Sequence, residues 1–75
     1  MTVDQRNPTP LYLQLAEILR EQIQSGQLRK DAVLPSESHL QQEHGLSRVT
    51  VRKAIGVLRD EGAVYTIQAR GTFVS

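Results

Sequence analysis

Apolar residues return at helical intervals in the first third of the chain. Leu11, Leu15, Ile18, Leu19 and Ile23 form a stripe that stops at Gly26, with Thr9 placed as N-cap and Pro10 in the favoured first helical position. Packing into a core is the expected role of that stripe. The period then disappears: Leu28, Val33 and Leu34 stand alone, Lys30-Asp31 reads as a turn, and Val33-Leu34 as a very short strand. Pro35 and Ser36 open a second, shorter helix, with Ser36 as cap, Glu37 beside the positive helix end and Leu40 as buried anchor, and His44-Gly45 closes it. From Ser47 to Asp60 the sequence SRVTVRKAIGVLRD predicts a third helix. Ser47 caps it, Leu46 can staple onto Val51, and Val51, Ala54, Ile55 and Leu58 share a narrow arc at 100° per residue. The gap from Gly45 to Ser47 is so short that helices two and three must meet steeply, as in a helix-turn-helix.

Beyond Gly62, which ends the third helix, the pattern changes from helical to β. Val64 to Ile67 and Thr72 to Val74 are rich in β-branched and aromatic residues, joined over Gln68 to Gly71 by a hairpin-length connection. Two strands alone are marginal, so the hairpin must pack on the helices. The order helix, helix, helix, hairpin predicts a mainly α fold with a small β-hairpin: a winged helix-turn-helix of three helices plus wing. It is expected over residues 9–75, while residues 1–8, polar and without an apolar period, are expected to be a flexible arm.

The polar side of the third helix gives this fold its chemistry. Arg52 and Lys53 point away from the apolar stripe, Arg48 and Thr50 lie in the first turn, and no acidic residue occurs between Glu43 and Asp60. A helix N-terminus carries partial positive charge and free amides, so arginines and a hydroxyl there suit phosphates and base edges. The net charge of +1 argues against a general nucleic-acid binder, but six of the eight acidic residues fall within the first 43 positions, which leaves a positive face rather than a positive body. The length allows one small domain, and the absence of cysteine excludes disulfides and the usual zinc clusters. No secretory signal or membrane span is legible, so a cytoplasmic protein is expected. No nucleophile and base pairing, phosphate loop or metal cluster suggests an enzyme, and no cofactor or metal is expected in this domain.

Four segments in order, PLYLQLAEILREQIQSGQL, LPSE, LSRVTVRKAI and RGTFV, resemble the N-terminal DNA-binding domain of the GntR family of bacterial transcription regulators. The likeness runs from Pro10 to Val74 and is nearest to the HutC-type branch. It implies a dimeric repressor whose larger C-terminal domain, absent here, binds a small metabolite and spaces two DNA-binding heads. It also implies that the third helix lies in the major groove of duplex DNA and the wing tip touches the minor groove. Carried over by position, Ser47, Arg48, Thr50 and Arg52 match contacts to phosphates or bases, and Arg70 and Gly71 match the wing tip. Arg pairs bidentately with guanine, whereas Ser and Thr more often fix register on phosphate, so base reading falls to Arg48 and Arg52 and positioning to Ser47 and Thr50. Ser36 is either a phosphate contact or a cap and nothing more; Lys53 either touches the DNA backbone or is merely solvated.

Three departures from the family pattern stand out. Ser38 replaces an arginine that often reaches a base, so either nothing reaches that base or His39 does; Lys30-Asp31 replaces a proline-glycine; and Ala69 stands where the wing tip usually begins with glycine. His39 and His44 are expected at the surface or in caps, and Tyr12 and Tyr65 in core or edge packing. The function expected is sequence-specific binding of double-stranded DNA at a palindromic operator, as a homodimer through the absent domain. The alternative is a winged-helix protein-interaction module, which needs an apolar patch on the exposed face of the third helix.

Overall fold

The computed structural model describes residues 2–75 and contains three helices followed by a hairpin: α1 (Leu11–Gln24), α2 (Glu37–His44), α3 (Arg48–Asp60), β1 (Val64–Ile67) and β2 (Gly71–Val74). This is the winged helix-turn-helix expected from the sequence. The apolar stripes meet as their spacing requires. Leu15, Ala16, Ile18 and Leu19 of α1 are buried, and all four positions of the α3 arc, Val51, Ala54, Ile55 and Leu58, lie inside. Leu34, Leu40, Leu46, Val64 and Val74 complete the core, so every element contributes to one apolar cluster. Leu11 and Ile23, at the ends of the α1 stripe, are partly buried against it.

The local signals act as capping chemistry dictates, with one correction. Ser36 Oγ accepts from the His39 N–H at 3.0 Å, and Ser47 Oγ accepts from the Thr50 N–H at 3.2 Å. Gly45 adopts the left-handed conformation at φ 66°, which lets the chain leave α2 and bring Leu46 inward within the tight turn. At α1, however, Pro10 and not Thr9 occupies the N-cap, extended at ψ 141° and without a side-chain cap. Gln14 instead ties the leading segment to the helix: its Nε2 donates to the carbonyls of Thr9 at 2.8 Å and Asp4 at 3.1 Å, while its Oε1 accepts from the Asp4 N–H at 2.8 Å. The leading segment, read from sequence as a flexible arm, thus lies against α1, and Val3 packs on the core. Met1, also assigned to that arm, lies outside the described residues.

β1 and β2 pair antiparallel with Val64 opposite Val74 and Ile67 opposite Gly71. Gly71 therefore opens the second strand instead of closing the loop. Its φ of 125° is a glycine conformation, and a Cβ there would stand 3.4 Å from Val33 Cγ2. The short strand expected at Val33-Leu34 is reduced to a single bridge, Val33 to Phe73. Hydrogen bonds from Leu34 N–H to the Thr72 carbonyl and from Asp31 N–H to the Val74 carbonyl, at 2.8 and 2.7 Å, extend that pairing along β2. Tyr65 stacks on Phe73 and donates to Asp31 Oδ1 at 2.9 Å, fastening the loop before α2 to the hairpin.

His44 departs from expectation. It is buried, not exposed, because it follows Leu40 by one helical turn and shares its inward face; its Nδ1 has no hydrogen-bond partner among the described residues.

Candidate nucleic-acid interface

With the arc of Val51, Ala54, Ile55 and Leu58 buried, α3 can turn only the opposite side outward. That side carries Arg48, Val49, Arg52 and Lys53, all exposed. Ser47 Oγ, besides capping Thr50, lies 2.9 Å from Thr50 Oγ1, so the two hydroxyls expected to position phosphate form one cluster at the helix start. The cap satisfies the amide of Thr50. The amides of Arg48 and Val49, in the first turn, have no intrahelical acceptor and stay available to an anion.

Arg52 is not free in the way its spacing suggests. Its Nε lies 3.2 Å from Glu37 Oε1 and 3.3 Å from Oε2, an ion pair that ties the second turn of α3 to the start of α2. Lys53 leans the other way, toward α1, with Nζ 4.7 Å from the centre of the Tyr12 ring. Such a cation–π interaction favours the ammonium over the ring face while leaving it in solvent. Among the described residues Arg48 and Arg70 make no ion pair, so both are uncommitted donors.

The wing tip is formed by Gln68, Ala69 and Arg70, closed by a hydrogen bond from the Arg70 N–H to the Ile67 carbonyl at 3.0 Å. Ala69 takes φ 65°, the left-handed conformation that glycine adopts without strain. The wing folds over toward α2: Ser36, Glu37, Ser38, Ala69, Arg70 and Gly71 line one open groove. Ser36 Oγ is an acceptor in its cap, which leaves the hydroxyl proton to donate outward. Ser38 is exposed, and His39 is exposed with Nε2 3.4 Å from Glu43 Oε1. At the other end of α3, Arg59 Nη2 donates to Thr66 Oγ1 at 3.0 Å and so is engaged with the hairpin.

The residues singled out in the sequence thus fall into two neighbouring groups. Ser47, Arg48, Thr50, Arg52 and Lys53 occupy the first turns of α3, while Ser36, Arg70 and Gly71 flank the groove beside it. Glu37 joins the groups through Arg52. Sequence reasoning places Glu37 only beside the positive helix end, passes over Val49, and places Tyr12 in packing; no local period links Glu37 to Arg52 or Tyr12 to Lys53, whereas the exposure of Val49 is legible from the α3 arc. Among the described residues no group of His, Asp or Glu could hold a metal ion, and no helix is long and apolar enough to cross a membrane.

Comparison with known proteins agrees with this geometry. Residues 11–74 match the family described as bacterial regulatory proteins, gntR family. The chain is 44% identical over 75 residues to the HTH-type transcriptional repressor NagR of Bacillus subtilis (strain 168), covering 100% of this chain and 31% of NagR. It is 49% identical over 65 residues to the mannosyl-D-glycerate transport/metabolism system repressor MngR of Escherichia coli (strain K12), covering 87% of this chain and 27% of MngR. The chain therefore spans about a third or less of these relatives, which are transcription regulators rather than enzymes. Among solved structures, the crystal structure of AraR(DBD) in complex with operator ORX1 superposes with a TM-score of 0.93 at 38% identity, covering 100% of this chain and 95% of that one. YtrA from Sulfolobus acidocaldarius, a GntR-family transcription factor, gives 0.87 at 36% identity over 97% of this chain and 77% of its own.

Proposed function

Since this chain belongs to the gntR family of bacterial regulatory proteins, we infer that it is the sequence-specific DNA-binding head of a metabolite-responsive transcriptional repressor. The observation that carries the reading is α3 itself: its apolar arc is wholly buried, and its outward side presents arginines and a lysine beside a helix N-terminus whose first two amides are open. The likeness to an operator-bound domain supports it. α3 enters the major groove, Arg48 and Arg52 meet base edges, Ser36, Ser47 and Thr50 hold phosphates, Lys53 meets the backbone, and Arg70 with Gly71 approaches the minor groove. The head, residues 9–75, needs no cofactor.

In the whole protein two heads act together. A single head of this size touches few groups on the duplex, and joining two converts the second binding step into an intramolecular one. The homodimer forms through a C-terminal domain, which also takes a small-molecule effector, and the protein acts in the cytoplasm. Within the family we assign it to the HutC-type branch, a reading supported by the segments LSRVTVRKAI and GTFV. The operator is a twofold palindrome with half-sites about one helical turn apart.

Selection from a random duplex pool, with the 75-residue chain joined to a dimerising coiled coil, tests the reading. Recovery of a palindrome that disappears when Arg48 and Arg52 are both replaced by alanine is the expected result. Recovery of no preferred sequence from a folded protein would overturn it and point to docking of a protein partner.

A further inference from the structure

Val49 is the most exposed large hydrophobic side chain among the described residues, at 72%. Scattered apolar side chains on a surface are ordinary, so exposure by itself decides nothing. Its position does. At 100° per residue Val49 lies opposite the arc of Val51, Ala54, Ile55 and Leu58, on the centre line of the outward side of α3. It sits in the first turn, the part of a recognition helix that reaches deepest into the major groove.

The neighbouring charges are drawn off that line. Arg52 is held toward α2 by Glu37, and Lys53 toward α1 by the Tyr12 ring. Between them the centre line is low: Val49 contributes two methyl groups, and Gly56, two turns further on, contributes no side chain. A Cβ at Gly56 would meet nothing within 4 Å, so the fold does not require glycine there, although glycine costs a helix up to about 1 kcal/mol relative to alanine. Valine is likewise a poor choice for a solvated helix position, because its branched side chain is restricted against the preceding turn. Both residues make sense when the backbone of α3 comes close to another surface.

A short apolar side chain among arginines offers no hydrogen bond. On the floor of the major groove the one apolar feature is the 5-methyl group of thymine. We propose that Val49 reads a thymine in each half-site by packing its methyl groups on that 5-methyl, and that the bare ridge from Val49 to Gly56 lets α3 approach closely enough for the two to touch. This assignment rests on the DNA-reading function above and adds a specificity determinant to it.

Deoxyuracil scanning isolates the interaction, since uracil differs from thymine only by the missing methyl. The probe is the palindrome selected by the dimerised chain, so the DNA-reading function is established before the first uracil is placed. Each thymine is replaced symmetrically in both half-sites, and binding is measured with the wild-type chain and with Val49→Ala. One thymine position is expected to lose affinity by roughly fourfold per half-site with the wild type, the size of one buried methyl, and to show no loss with Val49→Ala. Because Val49 is exposed and alanine favours a helix, the variant keeps its fold, which circular dichroism checks. A scan with no sensitive thymine, or one whose sensitivity survives intact in Val49→Ala, overturns the proposal.

Discussion

Glu37 holds Arg52 by its Nε alone, at 3.2 and 3.3 Å to the two carboxylate oxygens, and leaves both terminal nitrogens of the guanidinium without a partner among the described residues. Those are the donors that pair with O6 and N7 of guanine. A carboxylate near DNA would by itself repel phosphate; one that fixes an arginine side chain offsets that repulsion by reducing the rotamer freedom given up on binding.

The two effects have opposite signs in one substitution. Glu37→Gln removes the charge and keeps the shape. If orientation of Arg52 dominates, specific binding falls, by roughly two- to fivefold for an exposed ion pair. Arg52→Ala is expected to cost about 1–3 kcal/mol per half-site and to relax preference at one base pair, and Arg52→Lys will not restore it, because an ammonium lacks the paired donors. Titrations against the selected palindrome and its single-base variants measure both. Tighter specific binding by Glu37→Gln would mean that repulsion outweighs orientation.

Lys53 should behave differently from Arg52. Its ammonium rests over Tyr12, on the side of α3 that faces α1, and in the proposed docking it meets backbone rather than bases. Lys53→Ala is therefore expected to weaken specific and random duplexes alike and to reduce the slope of log affinity against log salt by about one per head. Salt titrations on both DNAs check this. A loss confined to the specific site would reassign Lys53 to base reading.

The wing carries a strained residue. Ala69 at φ 65° bears the steric cost that glycine avoids, about 1–2 kcal/mol, partly offset because alanine loses less freedom on folding. Ala69→Gly should raise stability by about 0.5–1 kcal/mol, seen as a rise of a few degrees in thermal midpoint. Ala69→Val should lower it, since a branched side chain tolerates that conformation poorly. An unchanged midpoint in both variants would show that the wing is not part of the cooperative unit.

How far the sequence reveals this arrangement depends on the range of the interactions. The α3 arc, the caps at Ser36 and Ser47 and the left-handed Gly45 follow from neighbours within one or two turns, and each is found where local pattern places it. Thr9 does not cap α1: the helix starts one residue later than the local pattern suggests, with Pro10 at the N-cap, and the Thr9 carbonyl is taken up by the side chain of Gln14, a turn into the helix. The burial of His44 follows from the face of Leu40, yet its polar ring argues the other way, and packing prevails. Charge counting identifies Arg52 as exposed and basic, but its pairing with Glu37 depends on the angle between two helices, and that angle is set by packing around Leu40, Leu46 and Val51.

The last relationship ties α1 to the end of α3. Arg20 donates from Nε to Glu61 Oε1 at 3.0 Å and from Nη2 to Oε2 at 2.6 Å, with Glu17 as a further partner. The hydrogen bond from Arg20, with its positive charge, holds the Glu61 carboxyl below the ordinary glutamate value. A carboxyl depressed in the folded state stabilises the fold above its unfolded pKa, and that contribution is lost as the pH falls through the folded value. Glu61→Gln should thus lower the thermal midpoint near neutral pH, and the gap between the two proteins should close as the pH drops below about 4. Paired melting curves from neutral to acid pH measure it. A gap that stays constant down to strongly acid pH would show that Glu61 acts through shape and a neutral hydrogen bond, not through its charge.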